Sequence, residues 1–144
     1  MESRKERIVV TGGAGFIGSH FVDLALTKGA EVIVLDAFTY SGSEDNLREA
    51  QAKGGSNYRL VKGRIEDAAL VQQIFSDFRP TSVVNFAAES HVDRSITDGD
   101  PFLETNVRGT YVLLKAARKY FEGLQEELRN QFRFVQISTD EVFG

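Results

Sequence analysis

Five short runs rich in β-branched residues recur along the chain, each separated from the next by a segment of different character. The pattern predicts strands over residues 7–11, 31–36, 58–62, 82–86 and 133–138. Their centres, such as Ile8-Val9-Val10, Val32-Ile33-Val34-Leu35 and Val83-Val84, are continuously apolar instead of alternating. That is the pattern of strands covered on both faces, and such strands alternating with helical segments build a parallel sheet from βαβ units.

The intervening segments carry helical periodicity. Ile17, Phe21, Leu24 and Ala25 share one face of a helix that Gly29 would end. Asp67 is placed to cap a shorter helix through Phe75, stopped before Arg79-Pro80. From Asp100 to Phe121, the residues Leu103, Val107, Thr110, Leu114, Ala117 and Phe121 step by four and three, drawing one stripe along what should be the longest helix, opened by Asp100-Pro101. Residues 39–56 are polar and contain glycine, with at most a short helix near 46–52. Phe75, Phe78, Phe86, Phe132 and Phe134 read as core packing.

Composition narrows the function. With 42% hydrophobic and 26% charged residues, the 144 residues suit one compact core. The 17 basic and 21 acidic residues leave a net charge of −4 in mixed patches, which argues against a nucleic-acid partner. No apolar run approaches the roughly 20 residues that cross a bilayer, so no membrane insertion is expected. The chain has no cysteine and no apolar stretch after its basic start, so a cytoplasmic, disulfide-free protein is expected. His20 and His91, without cysteine, make no metal set; His20 should lie exposed on the first helix and His91 in a loop.

The segment Thr11-Gly12-Gly13-Ala14-Gly15-Phe16-Ile17-Gly18 joins the first strand to the first helix. Gly13, Gly15 and Gly18 fit the G-x-G-x-x-G dinucleotide fingerprint, and Gly12, Gly15 and Gly18 fit G-x-x-G-x-x-G; the second is the better match because Gly12 directly follows the strand. In either register the turn brings backbone N–H groups to a pyrophosphate at a helix N-terminus. Asp36 ends the second strand 18 residues after Gly18, near the spacing at which a carboxylate accepts from the adenosine ribose. A carboxylate there repels a 2′-phosphate, and no arginine follows closely, so NAD is favoured over NADP. The expected fold is α/β: a Rossmann-type, doubly wound parallel sheet over residues 1–144 that stops after its fifth strand.

Three further motifs carry a family resemblance. They are Phe86-Ala87-Ala88-Glu89-Ser90-His91-Val92-Asp93-Arg94-Ser95-Ile96, Thr105-Asn106-Val107-Arg108-Gly109-Thr110 and Ile137-Ser138-Thr139-Asp140-Glu141-Val142-Phe143-Gly144. With the glycine turn they resemble the extended short-chain dehydrogenases acting on nucleotide sugars, and among these the dTDP-glucose 4,6-dehydratases. The resemblance implies that Phe16 and Ile17 line the pyrophosphate turn, that Asp36, Ala37, Phe38 and Thr39 hold the adenosine ribose, and that Ile65 lies by the adenine. It implies that Phe86, Ala87, Ala88, Glu89 and Ser90 run beneath the nicotinamide half, that Thr105 touches the cofactor, and that Ser90 and Thr139 meet the sugar. Asn106 reads as a structural tie. Arg64 departs from the family, in which an aspartate at this place accepts from the adenine amino group.

The resemblance further implies a mechanism for Thr139-Asp140-Glu141. Glu141 would be the base at C5 of the sugar, Asp140 the acid for the C6 hydroxyl, and Thr139 a hydrogen-bond partner of the C4 oxygen; related decarboxylases and GDP-mannose dehydratases tend to show Thr-Ser-Glu. The substrate expected is dTDP-glucose, in a homodimer whose four-helix bundle pairs the long helix with its downstream neighbour, so that without that neighbour the helix is expected to bear an exposed apolar strip. An epimerase, a decarboxylase or a non-catalytic NAD-binding module are the alternatives. The family's Tyr-x-x-x-Lys pair follows its fifth strand. Tyr58/Lys62 and Tyr111/Lys115 have the spacing but precede that strand, so they read as coincidental, and residues 1–144 are expected to be a cofactor domain without its sugar-nucleotide lobe.

Overall fold

The computed structural model describes residues 4–89, 96–139 and 142–143. All five expected strands form: β1 (Arg7–Thr11), β2 (Glu31–Asp36), β3 (Tyr58–Lys62), β4 (Ser82–Asn85) and β5 (Arg133–Gln136). They pair in parallel in the order β3-β2-β1-β4-β5. β1 is central, and the chain departs from it first towards β2 and later towards β4. Such a reversal opens a crevice at the carboxyl ends of the strands. β4 ends one residue sooner than its apolar run suggested, because the Asn85 side-chain oxygen accepts the Ala87 N–H at 3.1 Å and turns the chain out of the ladder.

Helices cover both faces of the sheet. On one lie α1 (Phe16–Thr27) and α2 (Arg48–Gly54), over a core that includes Val10, Val22, Leu26, Val32 and Val34. On the other, α3 (Ala68–Phe78) and α5 (Thr110–Glu122) pack with Val9, Ile33, Val71, Phe75, Leu113 and Phe132. Neighbours such as Val9 and Val10 thus enter different cores, which explains the unbroken apolar runs; full burial of each such side chain contributes about 1.5–3 kcal/mol. Asp67 caps α3 by accepting from Leu70 N–H at 3.1 Å, and that helix runs on to Phe78 before Arg79 turns left-handed at φ 52°. A short polar helix, α6 (Glu126–Gln131), was not foreseen. No helix among the described residues is long and apolar enough to cross a membrane.

The long helix departs from the uniform α-helix its periodicity predicts. A brief α4 (Asp100–Phe102) is followed by a π-helical stretch, Leu103–Gly109, and only then by α5. Thr105, Gly109, Leu113, Ala116 and Ala117 face inward, whereas Leu103, Val107, Tyr111 and Leu114 are exposed. Of the six residues in the stripe only Ala117 is buried. Apart from Leu113, the sheet-facing side is made of small residues, and Gly109 lies so close to Ile65 that an added Cβ would come within 2.6 Å of it.

Candidate functional site: a crevice at the carboxyl ends of β1, β2 and β4

The turn after β1 is shaped by glycine. Gly12 has φ 70°, a conformation that favours glycine, and a Cβ there would stand 2.6 Å from the backbone nitrogen of Ala87. Gly18 brings α1 hard against the carbonyl of Gly12. Gly13 has an ordinary φ but lies beneath Val34, where a Cβ would come within 2.8 Å of that side chain, and Gly12, Gly15 and Gly18 are the glycines of the turn that line the crevice. α1 begins after Gly15 with no side-chain cap and no acidic residue in its first turn. Its first backbone N–H groups are therefore left to an incoming anion.

Asp36 closes the other side of this turn. It is buried, and its Oδ2 accepts the Ala14 N–H at 2.9 Å while Oδ1 accepts the Phe38 N–H at 2.8 Å. The Asn46 side chain donates to the Ala14 carbonyl at 2.8 Å, a second brace on the same loop. The segment after β2 is thereby folded back on the glycine turn.

A buried polar hub joins three strand ends. The Thr11 hydroxyl donates to Asn85 Oδ1, the Ala87 N–H donates to the same oxygen, and Asn85 Nδ2 donates to Gln136 Oε1 at 2.8 Å. Asn85 and Thr11 are fully buried. On the far wall Asn106 forms a reciprocal pair with the backbone of Glu89: its Oδ1 accepts the Glu89 N–H at 2.8 Å and its Nδ2 donates to the Glu89 carbonyl at 2.9 Å. It is the structural tie read from the sequence.

These elements enclose a crevice of about 390 Å³, within the size range of small-molecule sites. Gly12, Gly15, Phe16, Ile17, Gly18, Asp36, Ala37, Thr39, Ile65, Phe86, Ala87, Ala88, Glu89, Thr105 and Thr139 all line it. Phe38 does not line it; its ring packs against the α1-side core. The sequence reading left out Ser41, Gly63, Glu66, Ile137 and Ser138, which also line the crevice, as does Arg64. Ser90, His91, Asp140 and Glu141 lie outside the described residues. His20 is exposed on α1, with Nδ1 2.7 Å from the Phe16 carbonyl. Tyr111 and Lys115 stand together on the outer surface of α5, and Lys62 pairs with Glu44, so neither Tyr/Lys pair borders the crevice.

A parallel sheet of this order, with a glycine turn feeding a bare helix N-terminus and an acid closing the second strand, is the architecture of the Rossmann class. The sequence matches the profile of the family described as GDP-mannose 4,6 dehydratase across residues 9–144, and the chain belongs to that family. It is 49% identical over 136 residues to a dTDP-glucose 4,6-dehydratase of Xanthomonas campestris, covering 94% of this chain and 38% of that protein. The solved dTDP-glucose 4,6-dehydratase of Streptomyces venezuelae, with NAD bound, superposes with a TM-score of 0.79 at 44% identity, covering 96% of this chain and 41% of the other. The UDP-glucose 4-epimerase of Thermotoga maritima, solved with UDP-glucose, gives 0.76 at 37% identity, covering 92% and 38%. The chain thus spans about two-fifths of the length of these relatives.

Proposed function

We propose that residues 1–144 form the NAD-binding domain of a dTDP-glucose 4,6-dehydratase, a cytoplasmic lyase that makes a 4-keto-6-deoxy sugar nucleotide. The observation that carries this reading is the convergence of the Gly12–Gly15–Gly18 turn, Asp36 and Thr139 on one crevice. The open α1 N-terminus suits a pyrophosphate, and the Asp36 carboxylate has lone pairs left to accept from ribose hydroxyls after binding Ala14 and Phe38. Its charge selects NAD against NADP. Ala87, Ala88 and Glu89 form the wall on the nicotinamide side.

The chemistry that bound NAD supplies is acceptance of a hydride from C4 of the sugar and its return to C6. The Thr139 hydroxyl bonds the C4 oxygen, and Ser90 adds a contact to the sugar. Once C4 is a ketone, the C5 hydrogen is acidic; Glu141 takes that proton while Asp140 gives one to the departing C6 hydroxyl, which leaves as water. Adjacent carboxyls do not ionise independently, which suits one acid and one base. The reading also requires a Tyr and Lys at the C4 hydroxyl and a sugar-nucleotide lobe, neither of which the described residues place at the crevice. The outward face of Leu103, Val107 and Leu114 pairs with a second copy in this reading.

The test is formation of the 4-keto-6-deoxy product from dTDP-glucose, with solvent-deuterium exchange at C5, in the intact protein. Glu141→Gln should abolish exchange at C5, and Asp140→Asn should slow loss of water, each by about 10²–10⁴. Near-normal product from both variants would sink the dehydratase assignment, and a C4-epimerised sugar would identify an epimerase. NAD binding with no turnover of the sugar nucleotide would leave a cofactor module.

A further inference from the structure

The residues that follow β3 occupy a defined place in the crevice. Gly63 N–H donates to the Asp36 carbonyl at 2.9 Å, so the segment 63–66 begins against the residue assigned to the ribose. Moving outward across the sheet, the glycine turn lies at β1, Asp36 at β2, and residues 63–66 at β3. A dinucleotide with its pyrophosphate at the turn and its ribose at Asp36 therefore lays its adenine against residues 63–66. Ile65 is buried there and offers an apolar surface. The charged groups of this segment that border the crevice are Arg64 and Glu66.

Their chemistry differs. Arg64 can only donate: its Nε donates to Glu66 Oε1 at 2.9 Å, and Nη2 donates to the Thr105 hydroxyl at 3.4 Å. The Glu66 side chain is 11% exposed against 49% for Arg64, so the acid is the more enclosed of the two. The carboxylate is held by its cationic partner. Among the described residues the second oxygen, Oε2, has no hydrogen-bond partner. It is an acceptor at the wall where a purine edge arrives. Adenine presents a donor amino group at C6, whereas hypoxanthine presents an acceptor oxygen at the same place.

We propose that Glu66, oriented by Arg64, accepts a hydrogen bond from the exocyclic amino group of the cofactor's adenine and thereby selects a 6-aminopurine over a 6-oxopurine dinucleotide. The assignment rests on the reading of the crevice as an NAD site. Arg64 is the positioning residue, and Glu66 makes the contact.

The test is calorimetric titration of the intact protein with NAD and with nicotinamide hypoxanthine dinucleotide. NAD should bind tighter by about ten- to a hundredfold, the range for a hydrogen bond to a charged group. Glu66→Gln, whose amide can donate to the 6-oxo group, should bring the two affinities together chiefly by improving hypoxanthine binding, an effect that mere loss of structure would not produce. Arg64→Met should narrow the preference, and Arg64→Lys should restore part of it. Equal affinities in the unaltered protein, or tighter binding of the hypoxanthine form, would overturn the assignment and make Arg64 the group that meets the base. Failure to bind either dinucleotide would overturn the cofactor reading together with this one, whereas equal binding leaves the cofactor reading standing.

Discussion

The Asp36 carboxylate accepts the backbone N–H of Ala14 at 2.9 Å across 22 positions of sequence, so the acid that ends β2 also holds the glycine turn that follows β1. In the proposed NAD site, position and function are coupled through it: a change at Asp36 would disturb the ribose contact and the glycine turn together. Asp36→Ala should lower stability by about 2–4 kcal/mol, since two backbone donors lose a charged partner, and it should remove the preference for NAD over NADP. Chemical denaturation with titration of both dinucleotides checks this. A variant that keeps both stability and preference would show that the carboxylate serves neither.

Asn85 should be the most costly single polar residue to replace. Its side chain meets Thr11, Ala87 and Gln136 at full burial. Asn85→Leu leaves the Thr11 hydroxyl and the Ala87 N–H without partners, for an expected loss of about 2–5 kcal/mol. The urea midpoint should fall with little change in slope, and an unchanged midpoint would mean that water replaces the hub.

Alkaline pH should loosen the α3–α5 side of the molecule. Burial raises the pKa of Tyr120 above its ordinary 10.0, against the lowering effect of Arg79, Arg4 and Arg7. Burial also raises Tyr58, with the Glu44 charge adding to the effect. A raised folded-state pKa gives stability that is complete below the unfolded value and is lost as pH climbs through the folded one, so the decline should begin near pH 10. The Tyr120 hydroxyl donates to the Pro80 carbonyl at 2.9 Å, a bond its phenolate cannot make. Tyr120→Phe should cost roughly 0.5–1.5 kcal/mol at neutral pH and flatten the alkaline decline. Unfolding curves across the alkaline range, with tyrosinate absorbance as the second signal, measure both effects.

The outward face of the long helix should drive self-association. Leu103 and Val107 are more than 60% exposed, with Tyr111 beside them. Light scattering should give a mass above that of one chain, and Val107→Glu should shift it towards the monomer without moving the unfolding midpoint, because that side chain has no core to leave. A monomer at high concentration in the unaltered protein would contradict the expectation.

Much of this architecture was legible because burial writes directly into sequence. Val9 and Val10 enter opposite cores, so the centre of β1, Ile8 to Val10, has no polar position, and the same holds from Val32 to Leu35 along β2. The glycine turn was equally plain, since Gly12 has a conformation and a contact that a side chain would oppose. Asn85 was not legible as a hub: a lone polar residue between Val84 and Phe86 looks like any other strand position, and its partners Thr11 and Gln136 lie 74 and 51 positions away. Arg64 stands out in the sequence only as a departure from a family pattern, and Glu66 does not stand out at all, because nothing in a sequence tells an exposed charge from one enclosed by a neighbouring loop. The π-helical stretch was hidden as well, since steps of four and three are also those of an α-helix. α6 is too short and polar for its periodicity to register.

That stretch also sets the gauge of the crevice. Thr105 and Asn106 are consecutive in one widened turn, yet the first meets Arg64 beside β3 and the second clasps Glu89 beyond β4. The two banks are thus spanned by a single strut, and their separation is fixed by helical pitch as much as by the sheet. A turn of this kind holds one residue more than α-helical winding would use. Deleting one residue between 103 and 109 would let the helix rewind with its outer surface nearly intact, while only one of the two banks could keep its anchor.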